Sequence, residues 1–205
     1  MNFNKILNNY EIVLASSSIF RKKLLDTLKI KFTTNSPDID ESSKNHELPW
    51  ELASRLSREK ALKVKGRVLT EPNYNNKDCI IIGSDQVAVC NDRIYGKPLN
   101  YETAVKYLET ISDNTVYFYT GLAVINTKLD SISQKLNITE VKFRNLDKET
   151  IENYIEKTEP FHSTLAIKAE DMGITLIESI HSKDPNALIG LPLIDLTDIF
   201  LSYNT

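Results

Sequence analysis

The sequence predicts an α/β fold: a single domain whose central mixed sheet is flanked by helices. Three observations carry this. Apolar runs of strand length alternate with stretches whose apolar residues recur at helical spacing. Two strand-like segments, Thr115 to Asn126 and Asn137 to Phe143, follow each other at hairpin spacing, which brings antiparallel pairs into the sheet. The 205 residues, 41% of them hydrophobic, supply one sizeable core and fall short of two comfortable domains. One domain, 1–205, is therefore expected, without internal repeat, low-complexity tract or linker.

In chain order, Glu11 to Ala15 reads as a short buried strand, followed by a helix near residues 19 to 29 with Phe20, Leu24, Leu25 and Leu28 at helical spacing. Phe32 to Asn35 reads as a second strand. Ser36-Pro37-Asp38-Ile39-Asp40-Glu41 is an acidic loop in which proline resists helix. Pro49 suits the first turn of the next helix, along which Leu52, Ala53, Leu56, Lys60 and Ala61 recur to about Val64. Asn73 to Asp78 is polar and turn-like. Cys79 to Cys90 is the strongest core strand in the sequence; Asn91-Asp92-Arg93 suits a tight turn, and Gly96-Lys97-Pro98 punctuates the next loop. Glu102 to Thr110 is expected to be helical. The hairpin strands turn around Lys128 to Ser131. Asp147 can cap a helix from Lys148 to Lys157 with Ile151, Tyr154 and Ile155 on one face. Ile174 to Ile180 supplies a further strand, and Leu191 to Leu201 a closing helix with Leu193, Ile194, Leu196 and Ile199 available for the core.

A formal charge of −3, with acids and bases interspersed, argues against a protein whose main task is to hold a nucleic-acid backbone. A local basic pocket remains compatible with it. The opening MNFNKILNNYEIVLA has no long apolar run and no small-residue cleavage site, and no later segment approaches the roughly 20 apolar residues that span a bilayer. A cytoplasmic protein without membrane association is expected. Cys79 and Cys90 lie at the two ends of the core strand with no metal-ligand spacing beside them, which predicts reduced, structural thiols. His46, His162 and His181 are far apart and share no metal-binding spacing.

The segment Leu14 to Leu25 joins a strand to a helix through Ser16, Ser17 and Ser18, then places Arg21, Lys22 and Lys23 in the first helical turns. A helix start offers unpaired N–H groups and the positive end of its dipole, serines cap it, and arginine presents a fork matched to phosphate oxygens. This describes a phosphate-binding corner. A capped surface helix with solvated bases has the same spacing. In the strand Cys79 to Cys90, Asp85 and Gln86 interrupt an apolar run where an interior strand buries no unpaired polar group. Such a local contradiction points to a site. Glu41, Lys60, Lys97 and Glu170 complete the residue types that phosphoanhydride hydrolysis needs: cations on phosphate oxygens, carboxylates for a divalent metal, and a carboxylate to activate water. Taken singly, Glu41 and Glu170 read equally as solvated acids, Lys60 as a helix-surface charge and Lys97 as a turn residue. Gly96-Lys97 is followed by Pro98 and lacks the upstream glycine of a P-loop, and the chain carries neither a Rossmann glycine fingerprint nor a nucleophile elbow.

Leu14-Ala15-Ser16 through Arg21, Asp38-Ile39-Asp40-Glu41, the helix bearing Lys60, Gly83-Ser84-Asp85-Gln86 and Gly96-Lys97-Pro98 follow in order the pattern of the Maf-like nucleotide pyrophosphatases, which the chain resembles over nearly its whole length. Ser84-Asp85-Gln86-Val87, Tyr119-Thr120-Gly121-Leu122, Lys168-Ala169-Glu170 and Asp184-Pro185-Asn186 resemble most closely the branch that acts on 7-methyl-GTP. The resemblance implies a Maf/inosine-triphosphatase-like fold and hydrolysis of 7-methyl-GTP to 7-methyl-GMP and pyrophosphate, removing a modified nucleotide. It places Asp85 on the proton acceptor, Ser16, Arg21, Lys60 and Lys97 on phosphate-binding positions, Glu41 and Asp85 on a divalent metal, Mg2+ or Mn2+, and Phe20, Gln86 and Glu170 on positions that tune base choice. Whether Asp85 serves as base, metal ligand or both stays open at this point. The implied partner is a nucleoside triphosphate, with no nucleic-acid polymer; a homodimer is compatible with the reading. Another nucleoside triphosphate as substrate, or a nucleotide-binding regulator without turnover, are the rival readings. Ile19 stands where the family usually has proline, Lys22 where a second arginine is common, and Thr164-Leu165 where alanine-glycine is common; a glycine at 165 would permit a backbone geometry that leucine resists.

Overall fold

The computed structural model describes residues 7–75 and 77–203. The opening residues 1–6, Asn76 within the 73–78 turn, and residues 204–205 lie outside them.

Five α-helices and a seven-stranded mixed sheet build the described residues. The strands are β1 (Tyr10–Ala15), β2 (Thr33–Thr34), β3 (Asp78–Cys90), β4 (Arg93–Tyr95), β5 (Thr115–Asn126), β6 (Ser131–Phe143) and β7 (Ile177–Ser182); the helices are α1 (Ile19–Asp26), α2 (Pro49–Val68), α3 (Tyr101–Ile111), α4 (Lys148–Thr158) and α5 (Leu193–Ser202). The sheet runs β2-β1-β3-β5-β6-β7, with β4 hairpinned onto β3. β1 is parallel to β2 and to β3, and the remaining neighbours are antiparallel. The expected mixed sheet is therefore present.

Where the boundaries differ from expectation, local chemistry explains the change. α1 ends at Asp26 because Thr27, Leu28 and Lys29 each bond three residues back and Lys29 turns left-handed at φ 55°. β4 escapes a sequence reading because it is three residues long; Asn91 and Asp92, both at positive φ, make the two-residue turn that folds it onto β3. β6 begins at Ser131, six residues early, since Asn126 pairs with Ser131 across a tight hairpin although the first half of the strand is exposed and carries little apolar signal. β7 starts at Ile177 rather than Ile174, because Asp171 accepts from the Met172 N–H and starts a 3-10 turn over Met172–Leu176.

The middle of β3 explains the polar interruption of an apolar strand. Side chains alternate between the two faces of a strand. On one face, Ile80 and Ile82 join a core with Leu24 and Leu25 of α1 and Leu196 and Phe200 of α5, whereas Ala88 and Cys90 join a second core with Leu108 and Ile111 of α3 and Ile151 and Tyr154 of α4. Ser84 and Gln86 fall between these two cores. On the other face, Ile81 packs with Ala61 and Val64 of α2, and Val87 with Leu52, Ala53 and Leu56. Asp85 falls between those.

α2 lies unusually close to the sheet. A Cβ on Gly83 would meet the Ser57 carbonyl and sit 2.9 Å from the Ala61 N; on Gly121 it would meet the Ala53 carbonyl and sit 3.0 Å from Ser57 Oγ. Gly121 is the cross-strand partner of Asp85, so the glycine pair lets the helix backbone rest beside the strand residue of chemical interest. Pro49 occupies the first turn of α2, and Glu51 Oε2 accepts from the Leu48 N–H at 3.1 Å, satisfying a donor at the helix start.

Candidate active site

A cleft of about 900 Å³ opens at the C-terminal end of β1 and the middle of β3, and Ser16, Phe20, Arg21, Glu41, Lys60, Asp85, Gln86, Lys97 and Glu170 all border it. These nine positions, drawn from well-separated stretches of the sequence, are thus brought to one place. Lys22 and Lys23, read with Arg21 as a basic cluster, are exposed and do not border the cleft.

The corner between β1 and α1 forms from its hydroxyls. Ser18 caps the helix, its Oγ accepting from the Arg21 N–H at 3.4 Å. Ser16 Oγ, buried, accepts from the Ser18 N–H at 3.1 Å and from Arg21 Nη1 at 3.5 Å. Arg21 Nε donates to the Gly190 carbonyl at 2.8 Å. The guanidinium is thereby oriented from two sides, and burial pushes its pKa below the ordinary value against the opposing charges of Asp85 and Glu41.

Lys60 reaches from α2 between two acids. Its Nζ donates to Asp85 Oδ1 in a very short bond and lies 2.7 Å from Glu41 Oε1. Both Lys60 and Asp85 are buried, at 5% and 6% exposure, so the charges are paired out of water, as a buried charge requires. Burial alone would raise the Glu41 carboxyl, but the hydrogen bond and charge of Lys60, with Lys97 and Arg21 behind it, hold it below the usual carboxylate range. Mg2+ is commonly held by one or two carboxylates, with water and substrate phosphates filling its other positions. Asp85 and Glu41 converge on one ammonium and so fit that donor set. No cluster of three metal-ligating side chains occurs among the described residues, so water and substrate phosphates would supply the remaining oxygens.

On the opposite face of β3, Gln86 is fixed by its amide nitrogen. Nε2 donates to the carbonyls of Ala187 and Leu188 at 2.9 Å each and approaches Thr120 Oγ1 at 3.1 Å. Backbone carbonyls can only accept, so the amide orientation is determined and its oxygen is the atom free to accept from a ligand. Phe20, which shares helical spacing with Leu24 and Leu25, belongs to none of the packed core clusters and is half-buried at the cleft. Glu170 stands on the exposed rim, and desolvation pushes its carboxyl up despite Lys168 and Lys23 nearby.

Several contributors carry little sequence signal. Gly190, at φ 116°, accepts at its carbonyl from both Arg21 Nε and Ser84 Oγ, the latter at 2.8 Å. Its loop is tied by Asp184, fully buried, whose Oδ1 accepts from the Asn186 N–H at 2.9 Å and Oδ2 from the Ile194 N–H at 2.6 Å. The triplet Asp184-Pro185-Asn186 is visible in the sequence, but its service to a glycine six residues on from Asp184 is not. Leu165 occupies the left-handed region at φ 57°, where glycine is common in the resembled family, and Ala166 repeats that φ. The leucine keeps the glycine-like backbone, buries its side chain in the core and donates its N–H to the Gly96 carbonyl at 2.9 Å, next to Lys97. Tyr154 secures the following turn, its hydroxyl donating to the Ala166 carbonyl at 2.9 Å and accepting from the Lys168 N–H at 3.0 Å; burial pushes that phenol up to about 12.

Residues 11–202 match the family model described as Maf-like protein. The chain is similar to the 7-methyl-GTP pyrophosphatase of Vibrio parahaemolyticus, at 44% identity over 94% of this chain and 95% of that protein. It is likewise similar to the proteins of that name from Aliivibrio fischeri, at 44% over 92% and 94%, and from Idiomarina loihiensis, at 43% over 94% of each.

Proposed function

This chain belongs to the Maf-like protein family, and from that premise we propose that it hydrolyses 7-methyl-GTP to 7-methyl-GMP and pyrophosphate. It is a nucleoside triphosphate pyrophosphatase. The observation that supports this reading most is the meeting of Asp85, Lys60, Glu41 and Arg21 with Gln86, Phe20 and Glu170 in one cleft, in a chain that is similar over more than nine-tenths of its length to enzymes of that name. The reaction is set in the cytoplasmic nucleotide pool and involves no nucleic-acid polymer; no helix among the described residues is long and apolar enough to cross a membrane.

In the proposed reaction, the oxygen of a water molecule bonds to the α-phosphorus and the bond from that phosphorus to the α,β-bridging oxygen breaks. Pyrophosphate leaves with the bridging oxygen, and Asp85 takes the proton from the water. Arg21 and Lys97 meet the phosphate oxygens, and Ser16 adds a hydroxyl at the start of α1. Lys60 keeps the two carboxylates from repelling each other and adds positive charge beside the leaving group. Mg2+ or Mn2+, held by Asp85 and Glu41, would supply charge neutralisation on the phosphates when bound. Phe20 stacks on the cationic methylated base and Glu170 favours its positive edge.

Product analysis tests the reading. With 7-methyl-GTP and a divalent metal, pyrophosphate and 7-methyl-GMP are expected in equal amounts, and Asp85→Asn is expected to lower turnover by about 10²-fold or more while folding normally. Release of orthophosphate without pyrophosphate would refute the reaction, and near-normal turnover in folded Asp85→Asn would remove Asp85 from it.

A further inference from the structure

The loop between β2 and α2 carries Glu41 yet has almost no structure of its own. Among the described residues, no backbone hydrogen bond joins residues 36–46 to any other element, and the loop's one internal backbone bond runs from the Glu47 N–H to the Lys44 carbonyl. Ile39 packs against Leu52, Ala53, Leu56 and Val87, Lys44 Nζ lies 3.7 Å from Glu59 Oε1, and the hydrogen bonds that fasten the two ends of the loop come from arginines on α2. At the incoming end, Arg67 Nη1 donates to the Ser36 carbonyl in a short bond and to Asn35 Oδ1 at 3.2 Å, and Nη2 approaches the Pro37 carbonyl at 3.4 Å. At the outgoing end, Arg55 Nη2 donates to the Ser42 carbonyl at 2.9 Å and to Glu47 Oε2 at 2.8 Å, with Nε on the other Glu47 oxygen; Nη1 donates to Glu59 Oε2 at 2.8 Å. The Arg55 and Glu47 side chains are only 17% and 8% exposed.

We propose that Arg55 and Arg67 are positioning residues that tether the 35–47 loop at its two ends and thereby hold Glu41 against Lys60. The two arginines are twelve residues apart on α2, about 18 Å of helix, and Lys60 lies between them. The acidic loop is thus laid along a rigid rod, with Glu41, a proposed metal-holding carboxylate, near the middle. Arginine suits the task because a planar fork can grip a carboxylate in two places and a carbonyl besides, which a lysine ammonium on a flexible stem does not reproduce. The functional half of the proposal rests on the reading of Glu41 in the proposed reaction, whereas the tether itself does not.

Hydrogen exchange and kinetics on the full chain separate the two. Arg55→Gln is expected to speed exchange of the loop amides that are bonded, Ser42, Lys44 and Glu47, by about 10- to 100-fold, as loss of charge-assisted bonds implies, and Glu47→Gln to do so at Ser42 and Glu47, while α2 amides keep their protection. Arg67→Gln is expected to do the same at Asn35, whose N–H donates to the Leu14 carbonyl at 3.0 Å. Arg55→Lys should fall between Arg55→Gln and the parent. Should Arg55→Gln fail to fold, Glu47→Gln, at the loop end, carries the test. Unchanged exchange in the folded variants would overturn the tether. If Arg55 acts through Glu41, turnover of the Arg55→Gln/Glu41→Gln double variant should match that of Glu41→Gln alone; losses that multiply would overturn that route. Normal turnover in Glu41→Gln would sink the reading of Glu41 and leave the tether to be decided by exchange alone.

Discussion

Glu41 and Glu170 border the same cleft, yet their surroundings push their carboxyls in opposite directions. At Glu41 burial is outweighed by Lys60, Lys97 and Arg21 together, while at Glu170 burial outweighs Lys168 and Lys23. Glu41 therefore stays ionised under mildly acidic conditions in which Glu170 begins to take a proton. If the Glu170 carboxylate reads the positive charge of a methylated guanine, the preference for 7-methyl-GTP over GTP should rise with pH as that carboxyl ionises and level off above it. The kcat/KM ratio of the two nucleotides, followed between about pH 5 and 7, checks this; Glu170→Gln should hold it at the low-pH value. A ratio independent of pH in the parent protein would remove Glu170 from base recognition. The identities of these residues were legible in the sequence because Asp85 contradicts its apolar strand and the others fall on a recognisable ordered pattern. The partners that aim them were not. Gly190 acts through a carbonyl, which every residue has, and Arg55 and Arg67 look like any basic residue on a helix until the loop opposite them is seen.

Helix α2 shows how an element sets the geometry. Its reach depends on two residues of the sheet that have no side chain. Gly121→Ala would press a methyl against the Ala53 carbonyl, so α2 must lift from β5 and carry Lys60 away from Asp85. A destabilisation of about 1–3 kcal/mol is expected, with a fall in turnover exceeding what the stability change explains. Gly66, in the same helix, has nothing within 4 Å of the place an added methyl would take, so Gly66→Ala should instead stabilise by about 0.5–1 kcal/mol and leave turnover alone. Thermal unfolding and kinetics of the two variants, side by side, distinguish a contact at the helix–sheet interface from a general effect of adding a methyl. Element types were legible where periodicity was strong, as in β3, β5, α3 and α4. They were obscured where exposed polar residues extend a strand, as in Ser131 to Leu136, or where capping by Asp171 converts an apolar run into a 3-10 turn.

At the scale of the whole molecule, β3 enters separate cores at its two ends. Cys79 packs under α2, and Cys90 packs with α3 and α4. Each thiol is 1% exposed, and burial raises both pKa values; at Cys79 the nearby Glu11 and Asp78 charges add to that rise. Neither should react with a thiol reagent in the native state. Because one continuous strand links the cores, both should become reactive together as denaturant is added, with a shared midpoint that coincides with loss of helix signal. Separate midpoints in mass-resolved labelling would show that the halves open independently.

The pleat of that strand has a further consequence. Asp85 and Gln86 are neighbours in the chain, but the first turns to the α2 face and the second to the carbonyls of residues 187–188 on the other side. One peptide bond separates the proposed machinery of bond breaking from the proposed reader of the base. Descendants of such a protein can drift toward a new nucleotide by exchanging Gln86 and its facing loop while the Asp85 side is inherited intact, so diversity of substrate and constancy of reaction can evolve on opposite sides of a single strand.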